Sequence, residues 1–175
     1  MDCYTSLAGG YDSLTEDVQY EKRAAFLQKL LAKSTIPVHT VLDLACGTGT
    51  MTCLLAEAGY EMIGVDLSED MLSEAAGKTV TPGKIPPIYL QQSMEELDLY
   101  GTVEAAVCCL DSINYLTDAR ALKRALQRLH LFVAPGGVFL FDVNTPCKLR
   151  SLDGQVFLDE REDLYCVWRA DFDRR

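Results

Sequence analysis

Val41-Leu42-Asp43-Leu44-Ala45 is an apolar run that halts at Cys46-Gly47-Thr48-Gly49 and resumes at Thr50 with helical patterning. A strand, a glycine turn and a helix in direct succession leave backbone N–H groups uncovered by side chains, so a nucleotide-like ligand can approach closely. Asp43 sits inside this stretch, and Asp66 closes the next apolar strand, Met62-Ile63-Gly64-Val65. Two carboxylates flanking a glycine turn suit a ligand with an amine and a ribose better than one with a pyrophosphate, which they would repel.

The rest of the chain repeats this alternation. Ala24, Leu27, Leu30 and Leu31 recur at helical spacing between Glu21 and Lys33, and Ile36-Pro37 ends that helix. Thr40–Ala45 reads as a strand, and Thr50–Ala58 as a helix that Gly59 stops. Asp66-Leu67-Ser68 leads into a helix with Glu69 and Asp70 in its first turn. After the rigid loop Thr81–Pro87 come the strand Ile88–Gln91 and the polar segment Gln92–Glu96. Val103–Leu110 is a nearly continuous apolar strand, as expected where helices cover both faces of a parallel sheet. A loop at Asp111–Tyr115, a helix over Ala119–Phe132, a stop at Pro135-Gly136-Gly137 and a strand at Val138–Phe141 complete the pattern. Strands alternating with long helices imply α/β architecture with right-handed crossovers. Ligands in such sheets bind beyond the carboxyl ends of the strands. Asp43, Gly47, Gly49, Asp66, Ser93, Asp111 and Asp142 all fall at those ends.

Composition narrows the partners. The chain has 175 residues, 49% of them hydrophobic, and its net charge is −10. One domain with a sizeable core is expected. The acidic balance opposes phosphate-rich partners, whose binding relies on Lys/Arg neutralisation, so nucleic acid is disfavoured. The seven cysteines include no pair at zinc spacing, and His39 and His130 are the only histidines. They read as small buried hydrophobes in a reducing compartment, and no bound metal is expected. Met1-Asp2-Cys3-Tyr4 lacks a basic and apolar leader, and no apolar run approaches a membrane span, so a cytoplasmic location is expected.

With these residues in place the chain resembles the class I S-adenosylmethionine-dependent methyltransferases, and within them the small bacterial enzymes named only as methyltransferases. Four motifs carry the resemblance: Val41–Gly49, Gly64-Val65-Asp66-Leu67-Ser68, Met94-Glu95-Glu96-Leu97 and Leu131–Gly137. It implies a Rossmann-like, doubly wound, mostly parallel sheet with helices on both faces. Residues 1–35 would form a helical lead, 36–145 the cofactor-binding core and 146–175 a partial C-terminal hairpin. It also implies S-adenosyl-L-methionine as methyl donor, S-adenosyl-L-homocysteine as product and a small-molecule acceptor.

By the same resemblance, Asp43 and the backbone at Ala45, Gly47 and Gly49 hold the methionine end of the cofactor. Asp66 accepts from the ribose hydroxyls, Leu67 packs on the adenine, and Gln92, Ser93 and Met94 border it. Asp111 lies near the sulfonium and is the candidate general base. Tyr11 and Tyr20 close over the cofactor or the acceptor. Ala45 replaces the family's usual first glycine, with slight crowding and retained binding expected. Asp66 can also cap a helix while binding the cofactor, Asp111 and Asn114 suit loop caps, Asp142 suits a structural role, and the tyrosines suit half-buried packing.

Methyl transfer from a sulfonium is an in-line displacement in which positioning and exclusion of water do most of the work. The segment after the fourth strand lacks the Asp/Asn-Pro-Pro-Tyr pattern associated with amino groups on bases or glutamine. A dehydrogenase reading fails because Gly47-Thr48-Gly49-Thr50-Met51-Thr52 lacks the third glycine of the dinucleotide fingerprint. A non-catalytic cofactor-binding or scaffold protein, and an RNA methyltransferase, remain as alternatives. The family's sheet has seven strands, the last two forming an edge hairpin. Val156–Leu158 and Leu164–Ala170 read as strands of that hairpin, with the final strand of the seven absent. The exposed sheet edge then expected invites a homodimer.

Overall fold

The computed structural model describes residues 7–160 and 165–173. Cys3, Tyr4 and Leu164, together with Arg161, Glu162 and Asp163, lie outside the described residues. The chain divides into two compact units with the boundary after Asp142.

In the first unit α1 (Ala8–Leu14) and α2 (Tyr20–Leu31) precede a regular alternation. Its elements are β1 (Thr40–Leu44), α3 (Thr50–Glu57), β2 (Glu61–Asp66), α4 (Glu69–Gly77), β3 (Ile88–Gln91), β4 (Val103–Cys108), α5 (Ala119–Phe132) and β5 (Val133–Phe141). The strands pair in the order β3-β2-β1-β4-β5, all parallel. The order reverses between β1 and β4, and a ligand crevice is expected beyond their carboxyl ends.

Alternate residues of the central strands feed two cores. Val41, Ala105 and Val107 pack with Leu27 and Leu31 of α2 and Met51, Leu55 and Ala56 of α3. Leu42, Leu44, Ala106 and Cys108 pack with Leu97, Ile113 and Leu129 on the other side. Both faces of β4 are therefore dry, which accounts for its continuous apolar sequence. Leu55, fully buried in the first core, is a position where truncation to Ala would cost about 2–5 kcal/mol.

Local chemistry sets the boundaries. Gly49, in the left-handed region at φ 72°, starts α3. Ser68 caps α4 by accepting the Met71 N–H, and Glu69 and Asp70 occupy the positive end of that helix. Asp118 caps α5 by accepting from the Arg120 N–H. Helix α5 also fixes the segment after β3. Arg128 Nε donates to the Leu97 carbonyl at 2.7 Å, its guanidinium pairs with Asp98 at 3.1 Å, and it lies 5.4 Å from the Phe132 ring centroid. Arg124 pairs with Glu95 at 2.6 Å.

Three boundaries differ from the sequence expectation. β4 ends at Cys108 although the apolar run continues to Leu110, because Leu110 and Asp111 adopt left-handed φ values of 57° and 51° and break the strand. Asp111–Tyr115 is not an open loop: Ser112–Tyr115 winds into a short 3₁₀ turn. β5 begins at Val133, upstream of Pro135-Gly136-Gly137. Val133 pairs with Val103 and Val138 with Ala105, so the Pro-Gly-Gly segment is an irregularity inside the strand. A Cβ on Gly137 would lie 2.5 Å from the Glu104 carbonyl, which is why glycine sits there.

The second unit contains α6 (Pro146–Ser151), β6 (Val156–Glu160) and β7 (Tyr165–Arg169). Thr145 caps α6 by accepting the Lys148 N–H. β6 and β7 pair antiparallel in a two-stranded sheet of their own, leaving the parallel sheet at five strands. Among the described residues no helix is long and apolar enough to cross a membrane.

Candidate functional site

Beyond the carboxyl ends of β1, β2 and β4 lies a cavity of about 370 Å³. Its wall carries Asp43, Ala45 and Gly47 from the end of β1, and Asp66 and Leu67 from the end of β2. Gln92, Ser93 and Met94 come from the turn after β3, and Tyr11 and Tyr20 from the lead helices. The structure thus gathers nine of the expected residues with Tyr20 into one chamber. Gly49 and Asp111 are not part of the wall.

Asp43 is 2% exposed and accepts a hydrogen bond from Thr52 Oγ1 at 2.6 Å. Burial pushes its pKa up to about 6 against the Thr52 bond, and the negative charge of Asp66 adds to the rise. No cation among the described residues pairs with it. Asp66 is committed at both oxygens: Oδ2 accepts the Gly47 N–H at 2.8 Å and Oδ1 the Ser68 N–H at 2.9 Å. Asp66 is therefore no simple helix cap; Ser68 does that work, and Asp66 ties the end of β2 to the glycine turn. A carboxylate offers about four acceptor directions, so two remain for a further donor.

Leu67 is 62% exposed beside these acids, an apolar surface available to a flat ring. The Gln92 side chain is already spent: its amide donates to the Asp98 carbonyl at 3.0 Å and accepts the Asp98 N–H at 2.8 Å. Its part is to hold the Ser93–Met94 turn in place. Gly49 acts through packing. A Cβ there would meet Tyr89 Oη at 2.5 Å and Ala75 Cβ at 2.9 Å, whereas one on Gly47 would meet nothing within 4 Å. Ala45 tolerates its position at the cost of a left-handed φ of 62°, so the departure from glycine is a matter of backbone strain.

Tyr11, Tyr20 and Tyr115 bring three phenol rings to the lining. Burial, reinforced by Tyr20, Tyr115, Asp111 and Asp66, raises the Tyr11 pKa far above normal, so its hydroxyl stays protonated. Tyr20 donates to Thr15 Oγ1 at 3.3 Å. Asp111, flanked by the lining residues Leu110 and Ser112, donates its backbone N–H to Asp142 Oδ2 at 3.2 Å. Asp142 thus accepts from the loop after β4. The sequence reading missed Thr48, Cys109 and Tyr115 in the wall. Cys46 and Cys109 line it too, but burial pushes both thiols up, so neither is a thiolate nucleophile.

An acid-flanked glycine turn at the switch point of a parallel sheet defines a Rossmann-like cofactor-binding protein. Residues 41–137 match the family model described as a methyltransferase domain. YqeM of Bacillus subtilis is 34% identical over 169 residues, covering 95% of this chain and 66% of YqeM. The crystal structure of an S-adenosylmethionine-dependent methyltransferase from Clostridium acetobutylicum superposes with a TM-score of 0.81 at 31% identity, covering 98% of this chain and 70% of that one. The dTDP-3-amino-3,6-dideoxy-alpha-D-glucopyranose N,N-dimethyltransferase of Streptomyces fradiae is 31% identical over 124 residues, 70% of this chain and 46% of its own length. The chain belongs to the class I S-adenosylmethionine-dependent methyltransferase family. It spans about two thirds of the length of YqeM.

Proposed function

We propose that this chain binds S-adenosylmethionine in the β1–β2 cavity and transfers its methyl group to a small-molecule acceptor. The observation that carries this reading is Asp43, a carboxylate buried in the wall with no cationic partner among the described residues. Asp66 and Glu95 are the other charged residues of the wall, and no Lys, Arg or His among the described residues lines it. Such a chamber suits a ligand with net positive charge, and S-adenosylmethionine carries an ammonium, a sulfonium and one carboxylate. Asp43 takes the ammonium directly or through water, Asp66 uses its remaining acceptor directions for the ribose diol, and Leu67 and Met94 cover the adenine.

When bound, the cofactor supplies a methyl carbon already activated by its sulfonium leaving group. The work left to this chain is to orient the acceptor and exclude water. Tyr11, Tyr20 and Tyr115 supply that wall. Tyr11 stays a hydrogen-bond donor throughout, because its proton is held so tightly. Asp111 stands outside the wall with its backbone tied to Asp142. The reading therefore rests on positioning, with no proton step assigned to Asp111.

The acidic cavity and the net charge of −10 favour a small molecule over RNA as acceptor. The name of the Streptomyces fradiae relative, an aminosugar-nucleotide N,N-dimethyltransferase, supports the same class. Isothermal titration with S-adenosylhomocysteine tests the donor half: saturable one-site binding is expected, and its absence defeats the reading. Incubation with S-adenosylmethionine and amino-sugar and other small-molecule acceptors, read by mass, separates an enzyme from a cofactor-binding scaffold.

A further inference from the structure

Asp12 lies outside the cavity wall, yet it joins three elements around the cofactor turn. Its Oδ1 accepts from Thr48 Oγ1 at 2.6 Å and from Thr50 Oγ1 at 3.1 Å. Its Oδ2 pairs with Lys78 Nζ at 2.5 Å, and Lys78 donates in turn to Thr50 Oγ1 at 2.6 Å. Thr48 belongs to the glycine turn and is 3% exposed, Thr50 opens α3, and Lys78 follows α4. Burial alone would raise the Asp12 pKa, but hydrogen bonds from Lys78 and Thr48 outweigh it and hold the carboxyl below the usual range. The site is charged in the working state of the protein.

The residue before Asp12 is Tyr11, which forms part of the cavity wall. Helix α1 has seven residues, two of them glycines, and no side-chain cap at its start. Gly9 and Gly10 each weaken a helix by roughly 1 kcal/mol relative to alanine, so a helix this short does not hold itself. Ala8, 5% exposed, contributes one buried methyl. The polar knot at Asp12 ties α1 to the glycine turn, to the start of α3 and to the end of α4.

We infer that Asp12 is a positioning residue for the cofactor site, using Lys78 and the Thr48 and Thr50 hydroxyls to hold α1 so that Tyr11 closes the chamber. This rests on the methyltransferase reading for what the chamber holds, though not for the knot itself. The knot couples both ways. It orders the lead helix against the glycine turn, and it fixes Thr48 within that turn. A chain that loses it spends part of its time with the wall open, and apparent affinity falls by that fraction.

The test uses the full chain with Asp12→Ala, Lys78→Met and the double variant, each checked for folding by circular dichroism. Affinity for S-adenosylhomocysteine is measured by titration well below the unfolding temperature. Asp12→Ala is expected to weaken it roughly tenfold and Lys78→Met roughly threefold, with the double variant no weaker than Asp12→Ala alone. Ligand-free protein is also treated with chymotrypsin, and cleavage after Tyr11 is followed in Lys78→Met, which leaves the cleaved sequence unchanged. Severalfold faster cleavage is expected.

Affinities within twofold of the parent in both single variants, with only the unfolding midpoint lowered, overturn the proposal and make the knot purely stabilising. Additive losses overturn it as well. If Asp12→Ala does not fold, Lys78→Met decides on both readouts. If the parent chain itself fails to bind S-adenosylhomocysteine, the methyltransferase reading and the cofactor role of Asp12 fall together. The cleavage rate then still decides whether the knot holds α1.

Discussion

Gly47 donates its backbone N–H to Asp66 Oδ2 at 2.8 Å, so the turn after β1 is hung from the last residue of β2. The second oxygen of Asp66 holds the Ser68 N–H. Asp66→Ala therefore leaves two backbone donors without their partner and removes the proposed ribose acceptor. It is expected to cost about 1–3 kcal/mol of stability and at least roughly tenfold in S-adenosylhomocysteine affinity. Urea unfolding and titration calorimetry measure the two losses separately. Unchanged affinity would place the ribose elsewhere.

Asp43 sets a pH dependence of definite sign. Its folded pKa of about 6 stands above the ordinary 3.8, so its contribution to ligand-free stability is full below pH 4 and lost as pH rises through 6. The loss is on the order of 2–3 kcal/mol for this fully buried group. Ammonium binding runs the opposite way, since it needs the carboxylate. S-adenosylhomocysteine affinity is expected to rise from pH 5 to 7 and then level off. Asp43→Asn should flatten both profiles in that window, as read by calorimetry and thermal unfolding across pH.

The two glycines of the turn make different demands. Gly47→Ala places a Cβ in open space at φ 55°, leaving backbone strain of about 1 kcal/mol. Gly49→Ala adds overlap with Tyr89 Oη and Ala75 Cβ at φ 72°, and is expected to cost about 3 kcal/mol. Equal losses in denaturant titration would show that the Tyr89 side chain yields freely.

Ala45→Gly runs the other way. Relief of a left-handed alanine outweighs the added freedom of the unfolded chain, so a gain of roughly 0.5–1 kcal/mol is expected with affinity retained. A lower unfolding midpoint in this variant would mean that the alanine methyl packs usefully against the cavity.

The parallel sheet and the β1–β2 acids were legible because period, turn chemistry and strand ends are local signals. Asp66 follows from where an apolar run stops, Asp43 from a lone acid inside such a run, and Leu67 from the family resemblance. The bulge at Pro135–Gly137 was not legible, since the same Pro-Gly-Gly string ends helices and interrupts strands. Asp12 was hidden for a different reason. Its meaning lies in Thr48, Thr50 and Lys78, which come to it only when the sheet forms. Asp111 shows the converse limit: a strand-end acid predicts a place near the crevice, while the left-handed pair at Leu110 and Asp111 decides what reaches it.

Of the four non-glycine residues with positive φ among the described residues, Ala45 and Leu110 line the chamber and Asp111 adjoins it. Stability is thus withheld around the proposed cofactor site, and the easiest gains for a protein engineer lie there as well. A selection for heat resistance alone would drift toward these positions first. Thermally hardened descendants of this chain should therefore be sorted by ligand affinity before melting temperature, because the quickest route to toughness passes through the chamber proposed to hold the cofactor.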